Sequence, residues 1–124
     1  MDFKIDTKDN FSVITPVDTP ISAIMAENLS AKCAEMRQSG SGNLIIDLQN
    51  CTGADKEAVP VWVEMHEESY SNELSLVFTG VNSKMIAILK EDEADLLINI
   101  TPTMIEAIDI VSMDRLQWDL LREE

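Results

Sequence analysis

The chain has 124 residues and a mass of 13.8 kDa, the size of one domain spanning 1–124. Hydrophobic residues make up 45% and charged residues 26%, which excludes a disordered chain. Nine basic against twenty-three acidic residues leave a net charge of −14, which argues against direct binding to nucleic acid or anionic lipid.

No uncharged apolar run approaches the roughly 18–20 residues of a membrane span, so direct membrane insertion is not expected. Residues 1–9 alternate charge with apolarity and lack the core of a signal peptide. Cys33 and Cys51 form no CxxC pair and are too few for a disulfide framework. Both read as small core residues of a reduced, cytoplasmic protein.

Along the chain, Phe3 and Ile5 alternate with Lys4 and Asp6, 8–10 supply a turn, and 11–15 resume an extended pattern. That predicts a β-hairpin. Thr19 before Pro20 predicts a helix start, and Met25, Leu29, Cys33 and Met36 recur at helical spacing up to Ser39-Gly40. Residues 43–48, NLIIDL, suit a strand covered on both faces. A helix over about 57–71, a strand over 74–79 and a helix capped by Asn82 or Ser83 follow. A strand over 96–100 and a last helix, signalled by Thr101-Pro102 and running through Ile105, Ile108 and Val111, complete the chain.

The predicted order is ββαβαβαβα, an α/β fold. Strands separated by helices imply right-handed crossovers and a mixed, mostly parallel sheet of four to five strands. The helices should pack on it, more on one face than the other.

Catalytic signals are poor. The single histidine, His66, lies beside Glu67 and Glu68 and reads as a solvated helix position. GxGxxG, Walker, HExxH and GxSxG patterns are absent. The run Glu91, Asp92, Glu93, Asp95 lacks the alternating ligands and turn glycine of a calcium loop and reads as a solvated helix end. No catalytic residue, metal or cofactor is expected.

The segment 49–58 is more informative, because parallel sheets place binding sites at the carboxyl ends of their strands. Asp55 and Thr52 are both able to cap the following helix. Its sequence, EAVPVWVEMHEESY, is apolar over more than the usual arc in its first turns, with Pro60 tolerated near the start. Val59, Val61 and Trp62 are therefore either deeply buried or partly exposed as an anchor for another protein.

The element order together with NLIIDLQNCTGADKEA resembles the STAS domain of anti-sigma factor antagonists. Leu44 to Gln49 matches that family's central strand, and Asp55 falls where its helix-initial Asp does. LSLVFTGVNSKMIAILK and INITPTMIEAIDIV look like its later strand–helix units, with Ala107 at the usual alanine. The resemblance covers nearly the whole chain and rests on pattern and order. The family's two serines, one of them phosphorylated, correspond to Lys56 and Glu57, and its glycine to Ala58. Neither Lys56 nor Glu57 accepts a phosphoryl group. Glu57 supplies one fixed negative charge where a phosphoserine would add roughly −1.5 to −2, and Lys56 partly offsets it. A plain acidic helix start explains Glu57 equally well.

By this resemblance the chain is a non-enzymatic module that binds an anti-sigma factor or serine-kinase-fold regulator. The implied surface holds Asp18, Thr19, Asp55, Lys56, Glu57, Val61, Glu64 and Gly80. Two other readings stand beside it: a cytoplasmic accessory subunit of an ABC-type lipid transporter, and a small-ligand-binding protein. A homodimer through an exposed apolar helix is also open.

Overall fold

The computed structural model describes residues 3–17 and 20–123. Strand β1 (Phe3–Thr7) pairs antiparallel with β2 (Ser12–Pro16), which is the expected hairpin. Helix α1 (Ala23–Gln38) leads to β3 (Leu44–Asp47), and a 3-10 turn at Lys56–Ala58 leads into α2 (Val59–Ser71). Then come β4 (Leu76–Thr79), α3 (Ser83–Glu91), a second 3-10 turn (Ala94–Leu96), β5 (Ile100–Thr101) and α4 (Met104–Arg122). The strands lie in sequence order across one five-stranded sheet, with β2 to β5 parallel.

Side chains alternate across the sheet and so feed two cores. Ile14, Leu44, Ile46, Leu76 and Phe78 pack with Leu29 and Cys33 of α1, Trp62 and Met65 of α2, and Met85 and Leu89 of α3. Val13, Ile45 and Val77 meet Ala107 and Val111 of α4 on the other face. Three helices thus cover one face and one covers the other. Every residue of β3 and β4 is buried, as continuous apolar strands require.

Three element boundaries differ from the sequence expectation, each because a backbone group finds another partner. Thr19 lies outside the described residues, and α1 starts at Ala23 with Ser22 as its cap, its side chain accepting from the Met25 N–H at 3.2 Å. Ile21 cannot be helical because it forms a parallel bridge with Ala54, donating to Gly53 O (2.9 Å) and accepting from Asp55 N (2.7 Å). The strand expected over 96–100 shrinks to two residues. The chain turns at 94–96, leaving Leu96 75% exposed, and only Phe78 and Thr79 of β4 offer pairing, to Ile100 and Thr101. Thr101 is in that strand, so Thr103 caps α4 instead. Its hydroxyl accepts from Glu106 N at 3.3 Å and donates to the Glu106 carboxylate at 2.9 Å. Ile105, expected on the inner face, is exposed for the same reason of phase.

Cys33 and Cys51 are buried free thiols. Burial pushes the Cys33 thiol up to about 12 and that of Cys51 up to about 11.

Candidate partner-binding site

The site grows from the carboxyl end of β3. Asp47 is buried, and its carboxylate accepts from the Gln49 backbone N–H (3.1 Å) and the Gln49 side-chain amide (2.8 Å), folding the chain back as it leaves the sheet. Leu48 N donates to Thr79 O at 2.8 Å and Cys51 N to Leu48 O at 3.0 Å, which carries the loop over the sheet end. The loop is then held from both sides. The bridge to Ile21 secures 53–55, and Asn82 donates its amide to Thr52 O at 3.0 Å. The same Asn82 accepts from Met85 N at 3.0 Å, so the cap of α3 also clamps the loop before α2.

Neither Asp55 nor Thr52 caps the helix by its side chain, contrary to the sequence expectation. Asp55 is extended, its carbonyl accepts from Ala58 N at 3.0 Å, and the 3-10 turn absorbs the free N–H group that a cap would have taken. Thr52 contributes its carbonyl to Asn82 rather than a hydroxyl to the helix.

The apolar residues of α2 face inward. Trp62 is 1% exposed and lies against Phe78 with ring centroids 5.4 Å apart, while Val59 and Met65 are also buried. The exposed-anchor reading is therefore set aside for Val59 and Trp62. Val61 is half-buried and packs on the core. Exposed on the outside are Glu57, Pro60, Glu64, Glu67 and Glu68, of which Glu57, Pro60, Glu64 and Glu68 follow one another at three or four residues. Lys56 turns away from Glu57 and pairs with Glu91 of α3 at 3.7 Å. Both partners are mostly solvated, so this pair adds little stability. Among the described residues, Glu57 has no ion-pair partner and stands near the positive end of α2.

Gly80, half-buried with φ +72°, completes the rim by packing its backbone on the loop start. Asp55, Lys56, Glu57, Val61 and Glu64 thus share one helix entry, with Gly80 against the base of its loop. Asp18 lies with Thr19 outside the described residues.

His66 is half-buried rather than solvated. Its ring stacks on Tyr70 at 4.4 Å, its Nδ1 is buried without a partner, and burial lowers its pKa. Tyr70 donates to Asp114, which also accepts from Ser75 at 2.7 Å, and Tyr70 accepts from Asn99. This knot between α2, α4 and the residues just before β4 and β5 has no local sequence signal, because its members lie up to 44 residues apart. The acidic face of α2 carries a local signal, glutamates at helical spacing, although the sequence expectation rested on the apolar arc of this helix. Among the described residues no cluster of His, Cys, Asp or Glu is placed to hold a metal, and no helix is long and apolar enough to cross a membrane.

Solved structures share this fold. A proposed anti-sigma factor antagonist from Thermotoga maritima superposes with a TM-score of 0.78 at 18% identity, covering 89% of this chain and 94% of that one. The anti-sigma factor antagonist SpoIIAA in its unphosphorylated form gives 0.70 at 15% identity, with 90% and 96% covered. The fold is the STAS fold. RsbS from Moorella thermoacetica, carrying a serine-to-glutamate substitution, gives 0.73 at 17% identity with 90% and 96% covered. No sequence-family model matches the chain, and no curated protein does. In the STAS fold the strand order, the loop after the central strand and the helix that follows are set by topology, so identities this low report shape alone.

Proposed function

We propose that this chain is a non-enzymatic regulatory module that binds an anti-sigma factor or serine-kinase-fold regulator. Its partner-binding surface would comprise Asp55, Lys56, Glu57, Val61, Glu64 and Gly80, flanked by Asp18 and Thr19. The observation that carries this reading is the start of α2, where an acidic outer face is held at the carboxyl end of the central strand by hydrogen bonds from two neighbouring loops. A rigid, solvated row of carboxylates suits a partner presenting basic groups, since complementary charge speeds encounter and sets orientation. The positions corresponding to the family's serines hold Lys56 and Glu57, so in this reading the surface is permanently acidic and is not switched by phosphorylation there.

An affinity capture from the source organism, with captured proteins identified by mass spectrometry, tests the proposal. A kinase-fold or sigma-regulating protein should be retained by the natural chain and lost, by about tenfold or more in affinity, in Glu57→Lys and Glu64→Lys. Equal retention by both variants removes this surface from consideration. Capture of ATPase and permease subunits would assign the chain to a transporter, and recovery of the chain alone would make the surface a homodimer contact. Incubating the complex with the captured kinase and ATP should leave affinity unchanged.

A further inference from the structure

At the opposite end of the sheet, beside the amino ends of β2 and β3, the β1–β2 turn, the α1–β3 loop and α4 enclose a polar cavity of about 220 Å³. Lys8, Asp9, Ser12, Ser41, Asn43 and Arg115 line it.

Arg115 is anomalous. With twenty-three acidic residues for nine basic ones, a cation here should find a carboxylate, and Lys8, Lys32, Arg37, Lys56 and Arg122 all do. Lys4, Lys84 and Lys90 lack an ion pair but are exposed. Arg115 alone is both half-buried and without a hydrogen-bond or ion-pair partner among the described residues. A second group at the cavity is also free: the backbone N–H of Ser12 donates to Asn43 O at 3.0 Å, while its hydroxyl makes no hydrogen bond among the described residues. Buried polar groups normally have partners. Asn43 is fixed because its side-chain oxygen accepts from Ser75 N at 2.9 Å, and its amide NH₂ is left unused. The cavity therefore gathers unspent donors. The one carboxylate in its lining does not consume them: Asp9 is exposed and forms no ion pair among the described residues, while Lys8 pairs outward with Asp6 at 3.0 Å.

We propose that this cavity binds the oxyanion group, carboxylate or phosphate, of a small molecule. Arg115 is its charged donor, and Ser12 and Asn43 position it. A guanidinium presents two parallel N–H groups that match either oxyanion, and neutral donors beside it complete the shell. The volume admits a ligand of several non-hydrogen atoms. The site is separate from the acidic helix start, so its test stands apart from the partner proposal.

Amide NMR of the whole chain, titrated with inorganic phosphate and separately with acetate at constant ionic strength in chloride, tests this. Either anion should give saturable shifts at Gly40, Ser41, Gly42 and Asn43, and the tighter one names the group. Arg115→Gln should weaken binding about tenfold or more, the worth of one charged hydrogen bond, and Ser12→Ala should weaken it less. Lys84→Gln should leave it unchanged. Shifts that rise linearly with both anions, or equal affinity in a folded Arg115→Gln variant, would overturn the proposal.

Discussion

Gly80 lies so close to Asp47 that a Cβ on it would stand 2.8 Å from Asp47 Oδ1 and 2.7 Å from Gln49 N. The two residues belong to neighbouring strand ends, and their contact closes the base of the 49–58 loop. The φ of +72° at Gly80 independently favours glycine.

Replacing Gly80 with alanine should therefore cost about 2 kcal/mol or more, through strain at positive φ and through the clash with Asp47. Urea unfolding measures it. Gly53→Ala is the control: nothing lies within 4 Å of its would-be Cβ, so its stability should be unchanged or slightly raised.

Asn82 joins two functions that substitution can separate. Asn82→Asp keeps an acceptor for Met85 N but loses the donor to Thr52 O, whereas Asn82→Ala loses both. The alanine variant should lose about 1 kcal/mol with its helix cap, and the aspartate variant less. Hydrogen exchange across 50–55 should quicken in both.

Alkaline pH should destabilise the protein earlier than its net charge alone implies. Burial, reinforced by the hydrogen bond to Asp114, pushes the Tyr70 hydroxyl from its ordinary value of 10.0 up to about 12. The folded state thus holds protons that the unfolded chain releases first. This contribution is intact below pH 10, falls as pH rises, and is gone once pH passes about 12. The buried thiols add the same slope from pH 9 upward. Urea midpoints across pH 8–12 report it (a range chosen to bracket roughly these values), and Tyr70→Phe should flatten its upper part.

If the acidic face of α2 recruits a basic partner, association should slow steeply between low and physiological salt while dissociation changes little. Surface plasmon resonance at several salt concentrations resolves the two rates. Glu64→Gln should reduce the salt dependence, because Glu64 is exposed on that face. A salt-independent association rate would count against electrostatic recruitment.

The core was readable because burial imposes a period. Leu44–Ile46 and Leu76–Phe78 are apolar runs that suit covered strands, and their order with the intervening helices implies a mostly parallel sheet. Cap positions were less readable. Thr19, Thr101 and Asp55 carry capping chemistry as plainly as Ser22 and Thr103, and the choice among them depends on which backbone groups distant strands and loops engage. The bridge from Ile21 to Ala54, 33 residues apart in numbering, decides where α1 begins.

From the sequence alone came the acidic charge, the ββαβαβαβα order and the absence of an accepting hydroxyl at 55–58, since all are properties of composition or local period. Tertiary structure decided what each side chain meets. It sent Trp62 inward and left the glutamates of α2 outside, turned Lys56 toward Glu91, and left Arg115 at a cavity without an ion-pair partner among the described residues. Local pattern specifies which face of an element is apolar, but partners brought together from distant segments determine which charges are neutralised and which stay available.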